Sequence, residues 1–590
     1  MNTIQRQWKG RRKACITALC LLSFSGGVLG GGVSLAAAPT TASALAASNA
    51  ASTALPDLTP TQQQQLRASD SGTQLSMTRQ YIEQQRLAKE LAKDRNTGTI
   101  SGVDTSTDKQ VKDQVTFILQ EVDVPDSKVL TKDEIQAVTK PYIGKQATVD
   151  TLYKIVEDIN ALYQSKGYIT CKAYLAPQRI SGGKVVISLV EGVNGTVEVM
   201  GNRYTDKDYV LKRIRLPKGE VPNLNDMNKD MLRFNATNDA QVRLALKAGA
   251  EAGTTDYELT VYEPQQYVFG LIADNMGSQT SGVYRKGVYW MDRSLTGARD
   301  NFLITGVTTQ GTKSFSTSYS RPIDTSGTTL NLNYSANTTK IVNGDLKPLD
   351  VRGHGSAYSI GFTKPLVTTE NMKSDIGVSF SQQHSITNFM HDQLWVDDTT
   401  KGIDFFYDQT NYSPGSVIYQ RHAYRWGTAN RLNPVAEGYE TRKFGKYTGN
   451  FIYQHAMQAG QLFTAKADLQ LASTQYLTPS EQFYIGGMYS VRGYKESLLS
   501  GDSGMYVGVE YSWPMNTRRD LNGFIFFDSG RVWGDSAFDD HQLASTGFGF
   551  KANIDSHNYL SVAVGLPLIR DINGTEQSRT RVHFTYSGQF

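Results

Sequence analysis

The feature that most constrains this chain's fold is an alternation of apolar and polar residues. It recurs from about residue 265 to the C-terminus. Near the end, for example, Val582, Phe584 and Tyr586 alternate with His583 and Thr585. Successive side chains of a β-strand point to opposite faces, so a period of two predicts strands with one apolar and one polar face. Such strands form either a soluble sandwich or a membrane barrel with a polar lumen.

The N-terminus has the features of a secretory signal peptide. Residues 1–46 include Arg6, Lys9, Arg11, Arg12 and Lys13 but no acidic residue. An uncharged run from 14 to 46 follows, with small-residue cleavage sites at 36–38 or 44–46. A membrane anchor is the alternative, but the glycines at 26, 27 and 30–32 interrupt the apolar stretch. We therefore predict export from the cytoplasm.

Removal of this segment changes the charge balance. The whole chain has 60 basic and 56 acidic residues, and the remainder after residue 46 has 55 and 56. A chain without a basic excess is not expected to bind nucleic acid. Cys15 and Cys20 leave with the signal peptide. Cys171 then remains alone, which excludes an intrachain disulfide and a cysteine metal cluster.

Composition favours the membrane barrel over the sandwich. Tyrosine (31) and glycine (53) are plentiful, proline (17) is sparse, and aromatic residues recur on the apolar face of the predicted strands. After the signal peptide no run of about 18 apolar residues offers a membrane-spanning helix. Together with an export signal, this pattern predicts a transmembrane β-barrel over residues 265–590.

Three segments precede the barrel. Residues 47–113 contain a predicted amphipathic helix at 75–95, with a thin apolar stripe, and a flexible linker at 98–113. Residues 114–192 have the order strand, helix, helix, strand, strand, and residues 193–264 repeat that order. We predict two small α+β modules in series, since this order differs from that of a dinucleotide-binding unit.

Two motifs carry a family resemblance. Residues 486–494 read Gly-Gly-Met-Tyr-Ser-Val-Arg-Gly-Tyr, with Gly-Asp-Ser-Gly at 501–504, and residues 526–530 read Phe-Phe-Asp-Ser-Gly. With the paired modules and the barrel opening at 273–285, they resemble the haemolysin secretion/activation (ShlB/FhaC/HecB-like) family of two-partner secretion. The resemblance implies two POTRA domains, about 16 antiparallel strands and an outer-membrane location. The segment 75–95 resembles in position the family's plug helix.

The resemblance also implies a site inside the barrel. In this family the Val491, Arg492, Gly493, Tyr494 motif caps a loop folded into the lumen. A guanidinium there needs a carboxylate, and Asp528 lies on the expected inward face of its strand, so we predict a bidentate Arg492–Asp528 pair. We call these five residues the loop lock. The alternative is a surface arginine in a turn. The similar Val351-Arg352-Gly353 shows that the tripeptide alone is not diagnostic.

Nothing in the sequence predicts an enzyme, a cofactor or a metal site. The Gly-Asp-Ser-Gly segment lacks the context of a serine protease, and no phosphate loop or HExxH motif occurs. The expected function is secretion of one large partner protein, bound at the two modules, without nucleotide hydrolysis. Outer-membrane lipid and the barrel assembly machinery are further expected partners. Phe590 resembles a terminal assembly signal, although Gly588 stands where a bulky residue is usual.

Two other functions stay open at this stage. A barrel assembly factor of the same superfamily usually has more than two modules, and residues 114–264 have room for only two. An adhesin or receptor needs long outer loops, for which residues 383–433 are candidates because they are rich in aromatic and polar side chains.

Overall fold

The computed structural model describes residues 58–91, 100–101, 116–390, 393–433, 438–538 and 541–590. The predicted signal peptide lies outside the described residues, as does most of the predicted linker. Within the described part, no helix has both the length and the apolar character that crossing a membrane requires.

Two helices begin the described chain: α1 (Pro60–Ser69) and α2 (Ser71–Leu91). Thr59 caps α1, because its hydroxyl accepts the Gln62 backbone N–H while the Gln62 side chain accepts the N–H of Thr59. The predicted helix at 75–95 corresponds to α2, which begins four residues earlier; residues 92–99 lie outside the described part. The sequence reading missed α1.

The first α+β module has one hydrophobic core. The short strand β1 (Ile100–Ser101) precedes this module in the chain. The elements of the module are β2 (Phe117–Ile118), β3 (Glu121–Asp123), α3 (Lys132–Thr139), a 3-10 turn (Lys140–Tyr142), β4 (Gln146–Ala147), α4 (Val149–Ser165), β5 (Cys171–Tyr174), β6 (Lys184–Val186) and β7 (Ser188–Glu191). The stripe of α4 is buried through Leu152, Ile155 and Ile159. Cys171 is buried too, and burial raises the pKa of its thiol to about 12, which keeps it unreactive.

The second module repeats this plan around its own core. Its elements are β8 (Val193–Met200), α5 (Lys207–Leu211), α6 (Leu224–Thr237), β9 (Gln241–Ala248) and β10 (Thr254–Tyr262). The sheet order is β1-β9-β10-β8. The strand β1 runs parallel to β9, with Ile100 opposite Leu244. A segment that follows α2 therefore occupies an edge of the second module's sheet.

The remaining chain forms a closed barrel of 16 strands, in which β30 pairs with β11. The strands are β11 (Tyr267–Asp274), β12 (Arg285–Asp292), β13 (Asn301–Thr308), β14 (Thr312–Pro322), β15 (Thr329–Lys340), β16 (Arg352–Thr368), β17 (Met372–Phe389), β18 (Gln393–Ser413), β19 (Ser416–Asn433), β20 (Gly438–Ala456), β21 (Leu462–Ala472), β24 (Ser503–Pro514), β25 (Leu521–Trp533), β26 (Gln542–Asn553), β27 (Asn558–Pro567) and β30 (Arg581–Gln589). The predicted fold, an antiparallel barrel after two small modules and an N-terminal helix, is confirmed.

Short elements lie in the connections of the barrel. The strands β22 (Phe483–Ile485) and β23 (Leu499–Gly501) pair within the connection from β21 to β24, and β28 (Asp571–Ile572) pairs with β29 (Thr575–Glu576) between β27 and β30. Three 3-10 turns are Lys347–Leu349, Gln458–Gly460 and Pro479–Glu481.

The adhesin or receptor alternative places candidate outer loops at 383–433, and the structure has strands there instead. Nearly all of this segment lies in β17, β18 and β19, which have 18, 21 and 18 residues. A membrane strand needs about 9–11 residues, so these strands extend beyond the bilayer. Polar and aromatic side chains suit a strand that leaves the membrane as well as they suit a loop, and composition alone did not separate the two.

Candidate functional site in the barrel lumen

Strand β25 sets the position of the carboxylate of the site. Its side chains alternate: Ile525 and Phe527 are exposed on the outer wall, whereas Phe526 and Asp528 are buried inside. The exposed aromatic and aliphatic residues match a lipid-facing surface, and the inner face provides a fully buried carboxylate. Such a group is stable only with polar partners.

The loop from 486 to 498 provides those partners, and its glycines determine its path. Gly486, Gly487 and Gly493 have φ angles of +105°, +106° and +94°, a region that side chains rarely adopt. The loop backbone also touches the wall at Gly565 of β27, where an added Cβ would lie 2.4 Å from the Gly493 nitrogen. The absence of side chains at Gly493 and Gly565 therefore allows the loop to lie flat against the barrel.

The structure brings Arg492 and Asp528 together. The guanidinium donates from Nε to Oδ2 at 2.7 Å and from Nη2 to Oδ1 at 3.0 Å, and the Arg492 backbone N–H also donates to Oδ2 at 3.1 Å. This is a bidentate, charge-assisted pair with an additional main-chain bond. Arg352 of the other Val-Arg-Gly tripeptide instead binds Asp350, two residues away, on the surface.

Sequence reasoning missed further partners of Arg492. Its Nη1 donates to Oε2 of Glu510 at 2.6 Å, and its guanidinium lies 3.6 Å from the centre of the Phe526 ring. Lys551 binds Glu510 in turn. The hydroxyl of Tyr506 donates to Asp528 at 3.2 Å. A weak signal was present: Glu510 interrupts the small and polar positions that alternate with Val507, Val509 and Tyr511.

The other residues of the loop lock are buried as well. Val491 is fully buried, and the Gly493 N–H donates to Nε2 of His583 at 3.0 Å. The Tyr494 hydroxyl lies within hydrogen-bond distance of two carbonyl oxygens, Ala544 at 2.7 Å and Ile569 at 2.8 Å. The loop thus contacts strands β24, β25, β26, β27 and β30 through both main chain and side chains.

A second cluster connects the same loop to α2. Arg285 of β12 forms a bidentate pair with Asp274 of β11, at 2.7 and 2.9 Å. Its guanidinium lies 5.0 Å from the Tyr81 ring of α2, and that ring is 5.6 Å from the ring of Tyr489 in the loop. Helix, loop and first barrel strands therefore meet at one point.

The start of α2 is hydrogen-bonded to a different part of the wall. The Ser71 hydroxyl bonds the Ser385 hydroxyl at 2.8 Å, and Asn337 donates to the Ser71 carbonyl at 2.9 Å. Further along, Glu83 lies 4.0 Å from Arg421 on β19. Contacts with β11–β12, β15–β17 and β19 come from several sides of the closed sheet, which places α2 inside the lumen.

The segment 501–504 has a structural explanation. Asp502 accepts three backbone N–H groups, from Tyr476, Leu477 and Asp535, each at 2.9 Å. It therefore joins the connection between β21 and β24 to the connection between β25 and β26. Among the described residues no group of three or more His, Cys, Asp and Glu side chains is placed to hold a metal ion.

Comparisons with known protein families agree with this geometry. Residues 253–552 match the family of the haemolysin secretion/activation protein ShlB/FhaC/HecB, and residues 117–192 match the ShlB-type POTRA domain. The first match covers the second module's last strand and most of the barrel, including the loop lock.

Similar proteins include the heme/hemopexin transporter protein HuxB of Haemophilus influenzae, 22% identical over 79% of this chain and 86% of the relative. The outer membrane transporter CdiB of Dickeya dadantii is 24% identical over 77% of this chain and 83% of the relative. The solved structure of CdiB from Escherichia coli superposes with a TM-score of 0.65 at 19% identity, covering 88% of this chain and 98% of that one.

Proposed function

This chain belongs to the haemolysin secretion/activation family of outer-membrane transporters, and we propose that α2 closes its secretion pathway at rest. The chain secretes a large partner protein across the outer membrane, with its POTRA modules in the periplasm. The observation that supports the closed state is the position of α2, which contacts the lumen wall through Ser71 and Glu83 and the motif loop through Tyr81.

We place binding of the partner at the two modules. An unfolded chain can add a strand to an exposed sheet edge, where main-chain hydrogen bonds give affinity without a strict sequence requirement. The second module shows that such an edge accepts a strand, because β1 already pairs there with β9. In the first module, among the strands that the structure describes, β5 pairs only with β7.

Contacts between the second module and the barrel support delivery into the lumen. The Ser294 hydroxyl, in the turn after β12, donates to the Tyr204 carbonyl at 2.7 Å. Arg299 of the same turn binds Asp239, and Arg213 donates to the carbonyl of Asp324 in the turn after β14. These bonds hold the module at the barrel entrance, so a bound partner has a short path to the pore.

Two further partners are proposed on physical grounds. The exposed apolar wall, with Trp426, Phe405 and Ile525 among its residues, contacts outer-membrane lipid. The terminal strand β30 and Phe590 engage the barrel assembly machinery before insertion. We propose no cofactor, metal or nucleotide in transport, and no catalytic step; folding of the partner outside the cell opposes its return.

Deletion of residues 114–264 tests the role of the modules. The barrel strands close their own hydrogen-bond network, so we expect a heat-resistant barrel in the outer membrane but little or no partner in the medium. Secretion is measured by immunoblot of medium and cells. Undiminished secretion by a properly inserted barrel would contradict the proposal.

A further inference from the structure

Helix α1 lies at the end of the barrel that faces away from the modules. Strand β11 begins directly after the second module, so the connections that follow β11, β15, β21 and β25 lie at the opposite, outer end. Each contributes a contact to α1: Thr280 meets Ser69, residues 341–351 surround Leu66, Ser497 meets Gln64, and Asp535 meets Arg67. One ten-residue helix therefore joins four outer connections.

The apolar contact of α1 with the barrel is made by the side chain of Leu66. Leu66 is 7% exposed and packs with Ile341, Leu346 and Val351, all in the connection between β15 and β16. Burying a leucine side chain stabilises the contact, and a charge at this position would lose that gain and carry a desolvation penalty.

The polar contacts of α1 are equally specific. The buried Gln64 amide donates to the Ser497 carbonyl at 3.0 Å and accepts the Ser500 hydroxyl at 2.9 Å, so both of its groups are paired. Arg67 lies 3.2 Å from the Asp535 carboxylate. Ser497 belongs to the loop that carries Arg492, and α1 thus touches the same loop as the loop lock.

Only Asp70 separates α1 from α2. Its carboxylate accepts the Thr73 N–H at 3.0 Å, as the first turn of α2 requires, and also accepts the Ser385 hydroxyl at 3.0 Å. With one residue between the helices and that residue fixed to β17, movement of α2 along the lumen has to displace α1.

We propose that α1 is an outer latch that keeps α2 seated in the lumen and must detach before the partner is secreted. This inference rests on the proposed plug role of α2. It adds that the resting state is held from the outer loops, through Leu66, Gln64 and Arg67, as well as by contacts inside the lumen.

Channel recordings of the full chain in planar bilayers test the latch. Leu66→Asp is compared with Gln63→Asp, which puts the same charge on the exposed side of the same helix. We expect a several-fold larger open fraction for Leu66→Asp, a smaller rise for Leu66→Ala, and native behaviour for Gln63→Asp. Heat-modifiable migration on gels shows whether each barrel is folded.

A channel lacking residues 58–91 separates the two hypotheses. If that channel is open while Leu66→Asp and Leu66→Ala stay as closed as the native protein, the latch is refuted and the plug is not. If the channel without both helices is no more open than the native one, the plug role of α2 is refuted, and the latch that rests on it is refuted as well.

A reversible crosslink tests the detachment step. The hydroxyls of Ser69 and Thr280 are in contact, so the Ser69→Cys, Thr280→Cys pair can be joined by oxidation and verified on a non-reducing gel. We expect secretion of the partner to fall several-fold when the pair is oxidised and to recover with reductant, while either single cysteine has no effect. Full secretion with the crosslink intact would overturn the proposal.

Discussion

At the scale of single residues, the loop lock is a buried ionic network rather than one pair. Arg492 faces the carboxylates of Asp528 and Glu510, and Lys551 supplies a second positive charge against Glu510. Charges removed from water are stable only while all of them are paired. The network therefore fixes the loop through Arg492, and loss of one member leaves the remaining charges unbalanced.

The first residue-scale prediction is that Arg492 and Asp528 act as one unit. Arg492→Ala leaves the buried Asp528 carboxylate without its cation, and Asp528→Ala leaves Arg492 with Glu510 in place of two carboxylates; breaking a buried pair typically costs about 3–5 kcal/mol. We expect each variant to reduce secretion while the barrel still inserts, and the double variant to be little worse than either single one. Secreted partner is measured for all four forms.

Two further variants sharpen this test. Arg492→Lys should secrete less than the native protein, because an ammonium cannot make the bidentate bond to Asp528. Arg352→Ala, in the second Val-Arg-Gly tripeptide, removes an exposed arginine paired with Asp350 and should leave secretion unchanged. Strictly additive losses at Arg492 and Asp528 would mean that the two side chains act independently.

At the scale of elements, the helices of the first module are joined by a partly exposed ion pair. Lys166, which caps α4, binds Glu134 in the first turn of α3. Hydrogen bonds from Lys166 and from Thr131 at the α3 N-terminus lower the pKa of the Glu134 carboxyl from its usual 4.5 to about 2. The ionised form of Glu134 is therefore favoured by folding.

A pH dependence of the first module follows from this shift. A carboxyl with a lowered folded pKa stabilises the fold above about pH 4.5, and this contribution is lost as the pH falls towards 2. We expect amide exchange in α3 to accelerate over that interval in the full chain. Lys166→Met should weaken the dependence, whereas Lys132→Met, whose amine binds the exposed Asp126, is the control. Equal pH profiles for Lys166→Met and the native chain would contradict this assignment.

The elements also show what the sequence does and does not predict. Alternation predicts the barrel, and the stripe of Leu152, Ile155 and Ile159 predicts α4, because both depend on local periodicity. Helix α1 has only the Thr59 and Gln62 capping box as a signal within an alanine- and glutamine-rich segment. It is buried by contacts with distant loops, which no local pattern records.

The sequence likewise predicts only some of the contacts in the candidate site. The motifs predict that Arg492 and Asp528 meet, since each belongs to a recognisable signature. Glu510, Tyr506 and His583 are not predicted, because their contacts depend on which strands lie beside the folded loop. That arrangement is set by barrel closure and by the loop's path across β27 at Gly565.

At the scale of the whole molecule, the question is what blocks the pore of so wide a barrel. Sixteen-stranded barrels of the porin type enclose an aqueous channel. Here the lumen holds the 21-residue α2 and the loop from 486 to 498, joined by the Tyr81 and Tyr489 rings. A helix about 10–12 Å across fills much of such a pore. In the proposed resting state, the lumen is therefore blocked by two separate parts of the chain, α2 and this loop.

Helix α2 and the loop from 486 to 498 contribute separately to blocking the pore, and deleting the helices distinguishes their effects. Removing residues 58–91 takes away α1 and α2 but leaves the loop lock, whose contacts run to β25, β24 and β30. We expect the truncated protein to show a several-fold higher conductance in planar bilayers and to make cells more sensitive to large antibiotics. Adding Arg492→Ala to the truncation should widen the pore again, because the loop is then released as well. If the truncation changes neither conductance nor antibiotic sensitivity, α2 is a tether rather than a plug. If Arg492→Ala alone opens the native channel fully, the loop is the sole barrier and the helices do not help to block the pore.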